Sequence, residues 1–180
     1  SRRGLQPEAE KAALAEHLAR QGLTAEVLDG ALFGTRRVKY TWPDSPRVSI
    51  IIPTRDREEY LRPLIESLEE RTSYPNCEIL ILDNDSTDPD TVDYLAALPQ
   101  RGGRYPIRVI PSPGEFQWAQ VANTGAAAAG GDYLLFLDND IHIVQKDWLD
   151  RLMALAQRPE IGITSPRLTY PGSGKVQDTG

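Results

Sequence analysis

Cysteine is nearly missing from this chain. Cys77 is the only one among 180 residues, so no disulfide can close within it, which fits a reducing compartment. The neighbours Glu78-Ile79-Leu80 read as a strand start, which makes the thiol a buried, inert one rather than a nucleophile. Positive charge is also in short supply: 20 Lys and Arg against 26 Asp and Glu leave a formal net charge of −6. No basic stripe interleaves with aromatics, which argues against a nucleic-acid polymer as partner. The local group Arg36-Arg37-Val38-Lys39 is too short for DNA; it reads as a solvated face, with a membrane surface as the alternative. No apolar run approaches the roughly 20 residues of a membrane-spanning helix, and no signal peptide opens the chain. With one cysteine and two histidines, His17 and His142, a zinc site has little support.

What is present is ordinary for a globular protein. Hydrophobic residues make up 40% and charged residues 26%, enough for one domain with a real core. The chain starts at Ser1 and its sole methionine is Met153, so it is expected to be a piece of a longer protein. Residues 7–21 have the spacing of a helix, stopped by Gly22. Residues 30–46 pass through Gly34, Trp42, Pro43 and Pro46 and read as a connecting arm, so residues 1–45 form a helix plus linker and 46–180 the main domain.

From Arg47 the pattern alternates. Strands are expected at 48–52, 78–82, 107–110 and 133–137, with helices at 58–71, around 90–98, at 117–129 and at 146–157. Further strands are expected at 161–164 and 167–170. Strands separated by helices of this length imply βαβ units and a mostly parallel sheet.

Three strand ends carry polar groups: Pro53-Thr54-Arg55-Asp56-Arg57, Asp83-Asn84-Asp85-Ser86-Thr87-Asp88, and Asp138-Asn139-Asp140. In a parallel sheet these ends share one edge, where α/β folds open their ligand crevice. Two carboxylates one residue apart repel unless a cation lies between them. Hard oxygen ligands suit Mg²⁺ or Mn²⁺, and such a cation suits a diphosphate. Asp138 and Asp140 therefore qualify as metal ligands, and Asp83 or Asn84 as partners of a nucleobase edge and a ribose hydroxyl. The plainer readings stand beside these. Thr54 and Asp56 suit a cap for the helix at Glu58, and Ser86, Thr87 and Asp88 suit a cap for the next one. Neither a Gly-x-x-x-x-Gly-Lys-Ser/Thr loop nor a Gly-x-Gly-x-x-Gly turn is present. Asp83-x-Asp85-x-Thr87 starts like a calcium loop but has Asp88 where glycine is needed and Tyr94 where the final glutamate belongs.

Val48-Ser49-Ile50-Ile51-Ile52-Pro53-Thr54-Arg55-Asp56, the run from Glu78 through Asp83-Asn84-Asp85-Ser86-Thr87-Asp88, Asn123-Thr124-Gly125, and Gly131-Asp132 through Asp138-Asn139-Asp140 occur in an order and spacing that resembles the family 2 inverting glycosyltransferases. The resemblance covers about residues 46–180, and Arg71-Thr72-Ser73-Tyr74-Pro75-Asn76 with Leu168-Thr169-Tyr170-Pro171 before Gln177 also resembles bacterial enzymes of O-antigen, capsule and related surface polysaccharide synthesis. It implies a GT-A fold: a three-layer, Rossmann-like α/β sandwich with a mostly parallel sheet, here the nucleotide-sugar-binding half without much of the acceptor half. It implies a nucleoside-diphosphate-sugar donor and a saccharide or lipid-linked saccharide acceptor. It further implies a cytoplasmic location, and it leaves room for peripheral membrane association of the full-length protein at the inner face.

By the same resemblance, Pro53, Thr54 and Asp56 line the base pocket, while Asp83 and Asn84 grip base and ribose. Asp140 ligates the metal, and Asp138 helps through metal or ribose. Arg55 stands where an aromatic often stacks on the base, and a guanidinium plane can stack there or pair with phosphate. Asn84 stands where many members carry Asp. The catalytic base of such enzymes is expected beyond Gly180; Asp178 is a late carboxylate with nothing around it to mark that role. Two other readings remain open: a non-catalytic nucleotide-sugar-binding or scaffolding module, and a nucleotidyltransferase. The second would want a Gly-rich basic loop after the first strand, and Pro53-Thr54-Arg55-Asp56-Arg57 has no glycine.

Overall fold

The computed structural model describes residues 7–178. They divide into two compact units: Ser45–Leu149 forms one, and the residues up to Asp44 together with those from Asp150 onward form the other.

The chain begins with α1 (Pro7–Arg20), as the spacing predicts, with Leu18 its buried residue. An antiparallel hairpin follows, β1 (Ala25–Asp29) with β2 (Arg36–Tyr40), in register Ala25↔Tyr40 and Asp29↔Arg36. The stretch read as a connecting arm thus contains a strand. Its period is two, with Arg36, Val38 and Tyr40 half-buried and Arg37 and Lys39 exposed; basic side chains on both faces hide that alternation from a hydrophobicity count. The basic group is partly neutralised locally. Arg36 donates to Glu10 at 2.8 Å and lies 3.5 Å from Asp29.

The larger unit is built on β3 (Val48–Thr54), α2 (Glu58–Arg71), β4 (Cys77–Asp83), α3 (Pro89–Ala97), β5 (Ile107–Pro111), α4 (Trp118–Ala128) and β6 (Tyr133–Phe136). The strands lie in the order β5-β4-β3-β6 and every pair is parallel, so the α/β parallel sheet expected from the alternation is present. All seven residues of β3 are buried, as are six of the seven in β4. That is the pattern of a central strand covered on both faces. Ile51, Leu80 and Leu82 pack with Val121 of α4 on one face. Ile50, Ile52, Ile79 and Ile81 alternate with them and are equally inaccessible, so the opposite face is covered too. Cys77 is free and buried.

Two devices fix this packing. Gly125 lets α4 approach β3 closely: a Cβ there would stand 2.5 Å from Ile51 Cγ2 and 3.3 Å from Leu82 Cδ2. At the amino edge, buried Glu78 accepts from Ser49 Oγ at 2.6 Å, Gly130 N at 2.6 Å and Arg47 Nη2 at 2.9 Å. Ser49 Oγ in turn accepts from Gly131 N. The carboxylate therefore pins the turn that delivers the chain into β6. Burial by itself would push its pKa up, but the bonds from Ser49 and Gly130 and the charges of Arg47 and Arg108 hold it below the usual glutamate value.

The chain continues into α5 (Trp148–Ala156), which carries the unit boundary at Leu149. In the larger unit Trp148 Nε1 donates to Thr72 Oγ1 at 3.0 Å. In the smaller one Trp42 Nε1 donates to Ala154 O, and the Arg158 guanidinium sits 5.0 Å over the Tyr40 ring and bonds its hydroxyl. A short antiparallel pair, β7 (Leu168–Thr169) with β8 (Val176–Asp178), follows. The strand expected at 161–164 does not form. Ile163 is 90% exposed, so its apolar run has no sheet to join, and local propensity alone does not make a strand.

Two predictions follow from the packing. Gly125→Ala forces a methyl into Ile51 and should cost about 1–3 kcal/mol by overpacking, read as a lower urea midpoint at unchanged slope. For Glu78, a depressed folded pKa means its stabilisation is present near neutrality and is lost as pH falls through the glutamate range. Glu78→Gln should therefore melt below the wild type at pH 7, with the gap narrowing below about pH 4.

Candidate functional site at the carboxyl edge

Parallel pairing sends the ends of β3, β4 and β6 to one edge of the sheet. β3 lies between the other two, with Thr54 opposite Asp83 on one side and Ile51 opposite Phe136 on the other. A cleft of about 430 Å³ opens there, lined by Pro53, Thr54, Arg55, Phe116, Trp118, Asp138, Asn139 and Asp140. Residues from the end of β3 and from after β6 thus share one hollow with the start of α4. Asn139 Nδ2 donates to Thr54 Oγ1 at 3.2 Å and ties the two strand ends together. The Trp118 ring meets Phe136 edge-on, with centroids 6.1 Å apart and planes at 69°, a favourable aromatic geometry. Asp138 and Asp140 are both exposed.

The structure brings five of the residues singled out in the sequence to this cleft: Pro53, Thr54, Arg55, Asp138 and Asp140. Asp56, Asp83 and Asn84 are not among its lining residues. Asp56 does not cap α2. The N-cap position is Arg57, with no side-chain cap bond, and Asp56 and Arg57 both have left-handed backbones at φ 54° and 62°. That conformation is costly outside glycine. Cross-loop bonds hold it: Asp56 Oδ1 accepts from Thr87 N at 2.7 Å and Asp88 N at 2.8 Å, while Asp56 N donates to Ser86 Oγ. The amides of Asp88 and Thr87, with smaller help from Arg55 and Arg57, hold the Asp56 carboxyl below its ordinary pKa. Asp88 caps α3, accepting from Thr91 N and Thr91 Oγ1, as the sequence suggested.

Asp83 is half-buried and accepts from Ser86 N at 3.0 Å. Asn84 is only 1% exposed, and its Nδ2 donates to Ser112 O at 2.6 Å and Gly114 O at 3.0 Å. His17 and His142 are both exposed, and His142 does not line the cleft.

Among the described residues no group of three or more His, Cys, Asp and Glu is placed to cage a metal ion. Two exposed carboxylates on one cleft wall are nonetheless a donor set that suits Mg²⁺ or Mn²⁺, which habitually take one or two protein carboxylates and complete their shell with phosphate oxygens and water. The donors present fit the ion without forming a closed cage.

The model of glycosyl transferase family 2 matches residues 49–179. The chain belongs to that family. The O-antigen biosynthesis protein RfbC of Myxococcus xanthus is 42% identical over 168 residues, which is 93% of this chain and 13% of that protein. The amylovoran biosynthesis glycosyltransferase AmsB of Erwinia amylovora is 30% identical over 112 residues, 62% of this chain and 36% of that one. The chain therefore spans well under half of either relative. Among solved structures, a mannosyltransferase from Pyrobaculum calidifontis in complex with GDP-Man and Mn²⁺ superposes with a TM-score of 0.58 at 22% identity, over 67% of this chain and 35% of that one. S. aureus TarS 1–349 superposes with a TM-score of 0.52 at 24% identity, over 61% and 32%. The four-stranded parallel sheet is that of a GT-A fold.

Sequence reasoning overlooked Phe116, Trp118 and Asn139 as cleft residues. Trp118 opens an alanine-rich helix, where an aromatic reads as core. Only its 44% exposure, beside Phe116 at 50%, shows that both face outward. Asn139 sits between the two noticed carboxylates, and its bond to Thr54 spans 85 positions.

The loop bonds yield a test. Asp56→Ala removes the acceptor of two backbone amides, and hydrogen exchange at Thr87 and Asp88 should quicken several-fold while β3 and β4 amides stay protected.

Proposed function

We propose that this chain forms the donor-binding part of a metal-dependent, inverting glycosyltransferase that uses a nucleoside-diphosphate sugar. The observation that carries the proposal is the shared cleft: Pro53, Thr54 and Arg55 from one strand end and Asp138 and Asp140 from the neighbouring strand's end line a single hollow. A nucleotide diphosphate needs both a surface for its base and a carboxylate pair to anchor a phosphate-bound cation. Asp138 and Asp140 hold Mg²⁺ or Mn²⁺ in this reading. When bound, the cation neutralises charge that accumulates on the departing diphosphate. Arg55, exposed in the cleft lining, pairs with phosphate or lies flat on the base. Phe116 and Trp118 supply apolar faces that exclude water from one wall. Asp83 stands opposite Thr54 but outside the cleft lining; with Oδ1 taken by Ser86 N, its other carboxylate oxygen is the one proposed to meet ribose or base.

The acceptor is a saccharide or lipid-linked saccharide hydroxyl, and the products belong to a surface polysaccharide. The O-antigen and amylovoran relatives support this assignment. A single in-line displacement at the anomeric carbon gives inversion. Among the described residues no helix is long and apolar enough to cross a membrane; the donor chemistry belongs in the cytoplasm, at the inner face of the membrane.

Thermal unfolding with UDP, dTDP and GDP, each with and without Mn²⁺, tests the proposal. A ligand at a hundred times its Kd stabilises by about 2.7 kcal/mol, a shift of several degrees for a chain of this size. Stabilisation by one diphosphate should require the metal and vanish in Asp140→Ala. No shift with any of the three would sink the donor-site reading.

A further inference from the structure

The turn after β4 does something that the metal and nucleotide reading does not use. Residues 83–85 hold the loop after β5 by four hydrogen bonds. Ser112 N donates to Asp83 O at 2.8 Å. Asn84 Nδ2 donates to Ser112 O and Gly114 O, and Gly114 N donates to Asp85 Oδ2 at 2.8 Å. Asp85 adopts a left-handed backbone at φ 56°, and Gly114 has φ 102°, a region closed to other residues. Phe116 and Trp118 come two and four residues later, and both line the cleft.

We infer that Asn84 and Asp85 are positioning residues: they latch the 112–114 loop so that Phe116 and Trp118 form the aromatic wall of the donor cleft. The inference rests on the donor-site reading only for its consequence in nucleotide binding; the latch itself is geometric. The chemistry explains why an amide stands at position 84. Nδ2 faces two carbonyl oxygens at once, and only a two-proton donor satisfies both. A carboxylate there would press an acceptor against two acceptors in a site sealed from water, with nothing to relieve the repulsion. Asn84 is sequestered at 1% exposure, so its influence on a ligand runs through the loop it holds. Asp85, by contrast, is exposed, and its carboxylate is engaged by Gly114 N. The wall has a second support in Phe136, which meets Trp118 edge-on. Trp118 is thus placed by the held loop and by Phe136 together.

The test follows Trp118 directly. Protein labelled with 5-fluorotryptophan gives three ¹⁹F resonances, from Trp42, Trp118 and Trp148, with Trp118→Phe identifying the middle one in sequence. In Asn84→Asp and in Asp85→Ala the Trp118 resonance should shift or broaden while those of Trp42 and Trp148 keep their positions. Titration calorimetry with UDP or GDP and Mn²⁺ should then show at least a tenfold loss of affinity in both variants. If Asn84→Asp unfolds and all three resonances collapse, Asp85→Ala, at an exposed position, decides by the same criterion. A Trp118 resonance unmoved in a folded variant overturns the latch, and an affinity loss without that shift assigns Asn84 to direct ligand contact instead. Wild-type protein that binds no diphosphate defeats the donor-site reading, and the latch then stands or falls on the resonance alone.

Discussion

Parallel pairing of Val48–Thr54 with β4 on one side and β6 on the other is the constraint from which the site follows. A strand bonded on both flanks has both rows of backbone groups satisfied internally, so its side chains can be apolar on both faces. The same pairing makes three strand ends leave the sheet in one direction. The candidate site lies where they leave, built from the last residues of β3 and from loops beyond the core.

Those loops are held mainly by carboxylates and amides bonded to backbone. Asp56 takes the amides of Thr87 and Asp88, Asp83 that of Ser86, Asp85 that of Gly114, and Asn84 the carbonyls of Ser112 and Gly114. The Asx-rich composition of this edge is thus only partly about ligands. Left-handed backbones at Asp56 and Asp85 are tolerated because such bonds over-determine them. Asp138 and Asp140, exposed in the cleft lining, are the carboxylates proposed to meet a cation.

Much of this was legible in the residue order. Alternation of apolar runs with amphipathic stretches announced β3 to β6 and α2 to α4 within a residue or two; burial on both faces makes β3 and β4 continuously apolar, while β5 and β6 are apolar runs that stay partly exposed. Pro53-Thr54-Arg55 and Asp138-Asn139-Asp140 were recognisable because polar groups directly after an apolar run mark its exit from the sheet, although β6, unlike β3, leaves Leu134 and Phe136 exposed. Other features resisted. The β1–β2 hairpin hides behind Arg36, Arg37 and Lys39, whose charges blur the alternation. The run at 161–164 has the composition of a strand and no neighbour to pair with.

Residue order by itself determined the family, the parallel sheet and the three polar strand ends, since hydrophobic period and motif spacing are local properties written along the chain. Tertiary structure decided which acidic groups face the hollow and which are tied to backbone, and it alone placed Phe116 and Trp118 in the cleft wall. The reason is physical: whether a carboxylate is free or engaged depends on which distant amide folds against it, as Asp56 meets Thr87 across 31 positions, and no local spacing encodes that meeting.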